Sequence, residues 1–469
     1  MRPQMAASAY ARPALGFPEK VCENLYLEES PVDPKRPVAL FKIPGSLKKT
    51  ETASNVRGLF QADGHAGGKV LIPHGTSVAT FDPTTDAVSA LTGSIAGTDR
   101  CDFAVSQTEA AILANSAVYI SNGTAIAIAT DVDFPTGITS IASIGQRLLM
   151  SAADGKFWYT SVLDFDDITA LNFYTAELKP DDLVAIRVFG ADILLFGTRS
   201  IEWWMQTGND DDPFAWQNGR AIDVGALCRD SIANLDGVPY FVAHDRTVRR
   251  IRDGSNAEVI SNAGIAKALE SVAASDVIGG TYSYHNHVFY VLSMPTITYV
   301  YDVATSEWHR AITNEEDFWR WVFFVRAGAK NFVAARADVK FAELSKTYLS
   351  DYMADASTMG TEIVARTNCF LPVTEGEVDV VSVRLEVSHG IGLATGQGSD
   401  PVALMRMSKP GDPNNFFASR SRSLGVQGKI NQKTIWWRCG RATPPGATIE
   451  FSISDPIDLV ISGAAVNED

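Results

Sequence analysis

The sequence predicts an all-β chain, a six- or seven-bladed β-propeller with an appended antiparallel β-sandwich. Three observations carry this prediction. Short apolar runs come in groups that recur roughly every 35 to 50 residues, the period of four-stranded propeller blades. Gly, Asn, Asp and Ser separate the runs, so hairpin turns and not helices join them. One stretch alone has helical spacing, residues 262–274, with Ile265, Leu269 and Val272 on one face. Parallel sheets need long crossovers that this spacing does not leave, and so many strands exceed what one sandwich holds. Radial repetition closes the array and leaves few edges exposed.

Taken in order, residues 1–54 are punctuated by Pro13, Pro18, Pro31, Pro34, Pro37 and Pro44 and follow neither period. They read as an extended proline-rich arm, with Leu25, Tyr26 and Leu27 available to dock on a larger body or a neighbouring subunit. The propeller is expected over 55–345. Its strand groups fall at 56–91, 103–129, 138–160, 183–204, 231–251, 279–311 and 319–344. The clearest hairpin runs from Ile193 through the turn at Gly197 to Trp204. Residues 346–469 hold strands at 361–368, 378–388, 402–408, 430–438, 448–454 and 459–462, enough for a small antiparallel sandwich.

Composition narrows the functional classes. The chain has 469 residues, 46% hydrophobic and 20% charged, the balance of an ordinary globular protein. Its 40 Lys and Arg against 55 Asp and Glu give a formal charge of -15, which argues against a surface built to grip phosphates. The five cysteines, 22, 101, 228, 369 and 439, show no CxxC spacing, so neither a disulfide framework nor a zinc site is expected. No secretory leader is read at the N-terminus, and no run reaches the ~20 apolar residues of a membrane span. A soluble product without membrane insertion is the expectation.

The motifs that carry chemistry elsewhere are defective here. Phe41-Lys42-Ile43-Pro44 and Ser151-Ala152-Ala153-Asp154-Gly155-Lys156-Phe157-Trp158 invite a sialidase reading. Lys42 stands where an arginine fork would hold a carboxylate, and Asp154 falls one place late, so structural turns are preferred. His285 and His287 have no third ligand nearby, and His244-Asp245 lacks a nucleophile. No catalytic, metal or cofactor residue is assigned. The acidic clusters Asp210-Asp211-Asp212 and Glu315-Glu316-Asp317 are candidates for a repulsive channel lining or rim. Adjacent strand residues face opposite ways, so one of Trp203-Trp204 and one of Trp436-Trp437 is expected to point off its own sheet as an interface anchor.

Four pieces together resemble the tail hub, or packaged DNA stabilization, proteins of P22-like short-tailed bacteriophages. They are Ile43-Pro44-Gly45 followed by Val56-Arg57-Gly58-Leu59; the Ile193–Trp204 hairpin; Thr298-Tyr299-Val300-Tyr301-Asp302 with Glu307-Trp308; and 423–428 with 435–441 and Ser454-Asp455-Pro456. The resemblance implies a non-enzymatic virion tail protein assembled in the host bacterial cytoplasm. It implies a homo-hexameric ring that extends the portal and adaptor channel, helps retain packaged DNA, and anchors the tail needle and a tailspike or fibre. Double-stranded DNA would pass through without specific binding. A sialidase-like propeller glycoside hydrolase and a carbohydrate-binding module are the alternatives.

Overall fold

The structure is a computed structural model that describes residues 3–5, 7–10, 19–29, 38–176, 179, 181–252, 254, 256–355 and 357–468. Pro13, Pro18, Pro31, Pro34 and Pro37 of the expected arm lie outside the described residues.

Among the described residues, seven four-stranded antiparallel blades follow one another. Blade 1 comprises Phe60–Gln61, Val70–His74, Ser77–Phe81 and Val88–Ala90, and blade 2 Asp102–Val105, Ala110–Ala114, Ala117–Ser121 and Ile126–Ile128. Blade 3 is Ile138–Ile144, Arg147–Ala152, Lys156–Tyr159 and Phe173–Thr175; blade 4 is Leu183–Phe189, Asp192–Gly197, Ile201–Gln206 and Phe214–Ile222. Blade 5 is Ala233–Leu235, Val238–Val242, Val248–Ile251 and Ala257–Val259; blade 6 is Ile278–Tyr284, His287–Met294, Ile297–Asp302 and Glu307–Arg310. Blade 7 takes three strands from its own region, Trp321–Ala327, Lys330–Ala335 and Lys340–Ser345. Its fourth, Gly45–Glu51, comes from near the start of the chain. The register Lys340↔Glu51 to Ser345↔Gly45 therefore ties the two ends of the array together.

The closure is visible in the packing. Seven hydrophobic clusters each join two neighbouring blades, including one between blades 7 and 1 where Phe81 meets Phe332 and Phe341 edge-on. Both faces of a blade are thus buried, and each large side chain sunk there is worth about 1.5–3 kcal/mol. The expected helix forms at Ala263–Glu270 and is capped by the Asn262 side chain, which accepts from the Ile265 amide. Its Ile265 and Leu269 pack into the cluster between blades 5 and 6.

The segment read as an arm is strand over much of its described length. Cys22–Glu23 runs parallel to the outer strand of blade 6 and antiparallel to Ala365–Pro372, so that blade and a C-terminal sheet form one continuous sheet. Leu25–Glu29 and Val38–Lys42 belong to a second C-terminal sheet with Val460–Val466, Val378–Val387 and Thr434–Ala442. Residues from both C-terminal sheets, among them Val383, Trp436, Phe451 and Ile461, share one core. At the junction with blade 6 the buried Glu23 carboxylate meets Arg310 at 2.9 Å and Arg366 at 2.6 Å.

Candidate functional site: the axial channel and the outer faces

The first strand of each blade is the innermost, and most neighbouring first strands contact one another around the axis. They line a cavity of about 410 Å³ whose wall includes Gly58–Phe60, Asp102, Arg187, Arg229, Asp230, Gly279 and Phe324. A cavity of about 760 Å³ at one mouth shares Arg100, Ile278, Val322 and Phe323 with it and adds Arg57, Asp276 and Arg336. The strands come close enough that a Cβ on Gly279 would stand 2.3 Å from the Ser231 carbonyl.

Ion pairs cross this space. Arg100, ahead of blade 2, reaches Asp230, ahead of blade 5, at 2.9 Å. Arg229 donates to the carbonyls of Thr139 and Arg100, both at 3.1 Å, and pairs with Asp230 at 2.9 Å. Arg187 of blade 4 meets Asp102 of blade 2 at 2.8 Å, and the same carboxylate accepts from Ser140 Oγ and the Ile141 amide. Burial pushes the Asp102 carboxyl up, but Arg187 and Arg229 together bring it below its ordinary range. Arg336 donates to the Asp276 carbonyl at 3.2 Å, and burial, followed by the nearby Arg100, pushes it down to about 10. Arginines outnumber carboxylates around the axis, and the Arg100–Asp230 pair bridges blades on opposite sides of the ring. A duplex, whose major groove alone is about 12 Å wide, has no bore to follow here.

The acidic candidates do not form one surface. Asp210, Asp211 and Asp212 sit in the hairpin between the third and fourth strands of blade 4. Glu315, Glu316 and Asp317 sit in the link from blade 6 to blade 7. In an up-and-down blade these two kinds of connection emerge on opposite faces of the propeller. Asp210 is fully exposed, 3.8 Å from Arg147, and Asp212 accepts from the Tyr174 hydroxyl at 2.5 Å. Glu315, Glu316 and Asp317 flank a cleft of about 650 Å³ toward the C-terminal sheets, shared with Arg310, Arg366 and Arg406.

The tryptophans divide differently from expectation. Trp203 and Trp204 do face opposite ways, yet both are buried. Trp203 packs into the core toward blade 5, Trp204 into the core toward blade 3, where it meets Phe157 edge-on. The expectation overlooked that a propeller blade has no free face. Trp436 and Trp437 lie on a sheet with one covered side: Trp436 is sealed in the core, and Trp437 is 49% exposed.

The enzymatic motifs resolve into structure. Lys42 Nζ donates to the carbonyls of Leu349 and Asp455, and burial pushes it down to about 8. Asp154 shapes the turn between the second and third strands of blade 3. His287 is held by Asp302 at 2.6 Å, whereas His285 occupies the turn with φ 48° and stacks on Tyr284. Among the described residues no group of three potential metal ligands converges, and all five cysteines are free thiols.

A seven-bladed ring whose axis is occupied by its own ion pairs is a propeller built as a scaffold. The chain belongs to the family described as "Bacteriophage P22 Gp10, beta-propeller", which matches residues 17–348, and it is a structural phage protein and not an enzyme. No curated protein matches it. Solved structures similar to it include a catalytically inactive virginiamycin B lyase from Staphylococcus aureus with quinupristin, 11% identical, and the β-propeller domain of Cps50 (Swd1) from Myceliophteria thermophila, 8% identical. In both cases the TM-score is 0.45, with 65% of this chain and 99% of the other covered. Among the described residues no helix is long and apolar enough to cross a membrane.

Proposed function

We propose that the chain is the hub, or nozzle, of a short phage tail. Six copies form a ring that extends the portal and adaptor channel, helps retain packaged DNA, and carries the tail needle and a tailspike or fibre. Family membership over 17–348 is the observation that carries this reading. The closed axis adds a constraint: DNA has to travel between copies, in the lumen of the ring, and not through any single propeller. Assembly takes place in the host bacterial cytoplasm.

Electron microscopy of the purified protein, alone and with portal and adaptor, tests the reading. Six-fold rings seated below the adaptor are expected, and phage lacking the protein should package DNA but lose it. Particles that keep their DNA and infect normally without the protein would refute the assignment.

A further inference from the structure

Charge is segregated along this chain in a way that its fold turns into geometry. Between Asp400 and Glu450 lie eight Lys and Arg and a single acid, Asp412. The whole chain carries -15, so everything outside this window carries -22. The second concentration has the opposite sign: residues 131–223, which build blades 3 and 4, hold fifteen Asp and Glu against six Lys and Arg.

The basic window is also the least neutralised. Arg406 pairs with Glu450, and Arg441 with Glu377 and Asp379. Among the described residues, no carboxylate pairs with Lys409, Arg420, Arg422, Lys429, Lys433 or Arg438. Arg420 donates to the carbonyl of Trp437 at 2.9 Å, and Arg422 to that of Ile435 at 2.9 Å. Thr434–Ala442 pairs with Val378–Val387 on one side only. Two guanidiniums therefore lie across its other edge, a device that blocks strand addition and leaves positive charge there. Apolar side chains are exposed on this sheet and the loop leading into it: Trp437 at 49%, Val381 of the paired strand at 54% and Ile430 of the preceding loop at 71%. Tryptophan and arginine side by side, with apolar neighbours, is the composition of a protein interface centre, and it is less suited to a duplex backbone.

The C-terminal sheets grow from the outer edge of blade 6. Blade 3 lies three blades away, the greatest separation a ring of seven allows, and blade 4 two. Each molecule thus presents a basic apolar face on one flank and an acidic surface on the far side. The acidic side offers exposed carboxylates at the two ends of the outer strand of blade 4, Asp210 before it and Asp223 after it, whose side chains are 100% and 81% exposed, the latter paired with Lys179 at 2.7 Å. We infer that the Trp437 face of one copy docks on the acidic outer surface of blades 3 and 4 of the next. Two basic faces repel each other, so a two-fold pairing through this patch is disfavoured; the contact is heterologous and repeats head to tail. This assignment of faces rests on the reading that copies of the chain assemble with one another.

The test is reciprocal charge reversal in the full chain. Lys433→Glu with Arg438→Glu reverses one face, Asp210→Arg with Asp211→Arg the other, and each pair is checked for an unchanged melting temperature. Association is followed by sedimentation across a concentration series at low and high salt. Wild type should associate in a salt-sensitive way, each reversal alone should weaken association at least tenfold, and the chain carrying both should recover it. Rings that form equally well with either face reversed would overturn this inference and leave the ring reading intact. No association of the wild type under any condition, on portal and adaptor included, would remove both. Salt-sensitive duplex binding that Lys433→Glu with Arg438→Glu abolishes, without change in assembly, would reassign the face to DNA and overturn the inference.

Discussion

Arginine does opposite things in two parts of this molecule. At the axis, Arg100, Arg187 and Arg229 each reach an aspartate within 2.9 Å; the Arg100–Asp230 and Arg187–Asp102 pairs tie different blades together, and Arg229 does so through the carbonyls of Thr139 and Arg100. On the C-terminal face, Arg420 reaches main-chain carbonyls and the Cys439 sulfur, Arg422 reaches main-chain carbonyls, and Arg438 pairs with no carboxylate among the described residues. The residue type is the same, and the role is set by what the fold brings within reach. A guanidinium matched to a buried carboxylate is spent on the fold, because separating the pair leaves a desolvated charge. One that meets no carboxylate at a solvent edge stays available to a partner.

The largest way to break this comparison is to remove an axial carboxylate. Asp102→Ala strips Arg187 of its partner and frees Ser140 Oγ and the Ile141 amide, and a loss of about 3–5 kcal/mol is expected in denaturant unfolding. Asp102→Asn keeps the shape and should recover part of it. A loss under about 1 kcal/mol would mean that the axial pairs are as weakly coupled as surface ones.

Much of this architecture was legible in the sequence, and the misses share a cause. All seven strand groups correspond to blades, because their second and third strands are buried on both faces and stay apolar. The outermost strands were harder: Phe173–Thr175 and Ala257–Val259 fell outside the expected runs, since only one side of such a strand meets a neighbour and its apolar pattern fades. Gly45–Glu51 was invisible as a blade strand because its sequence, GSLKKTE, is polar, and its partner is almost 300 residues away. The Trp203-Trp204 pair offers no anchor because a local rule about strand faces says nothing about what covers them. The axial network has no local signature either: Arg100, Asp102, Arg187, Arg229 and Asp230 are brought together only by ring closure. The basic window, by contrast, can be counted directly from the sequence, where the whole-chain charge of -15 hides it.

A second expectation concerns protons in the core of blade 6 and is smaller. His309 is buried, and burial, only partly offset by Asp302 and accompanied by His287, pushes it down to about 4. The folded state holds it neutral while the unfolded chain protonates near its ordinary value, so its contribution is complete above pH ~6.5 and is lost as pH falls toward 4. The full span is worth about 3 kcal/mol. His287, raised by its hydrogen bond to Asp302, works with the opposite sign: its contribution is present at low pH and lost as pH rises through its folded value. Stability measured from pH 7 to 4 should therefore fall less steeply in His309→Asn than in wild type. Parallel curves would show that His309 is not the group that titrates.

The smallest effect on stability sharpens the comparison most, because it separates two adjacent residues. Trp436 is fully buried, packs on Phe451 and donates its indole N–H to the Arg420 carbonyl at 2.9 Å, so Trp436→Ala should cost about 3–5 kcal/mol. Trp437 is half in solvent on the other side of the same strand. Trp437→Ser should leave unfolding free energy within about 0.5 kcal/mol of wild type, while weakening association between copies. If Trp437→Ser instead destabilises the isolated chain by more than about 1 kcal/mol, the indole is packing against its own sheet. The exposed face would then be part of the fold and not a surface held for a neighbour.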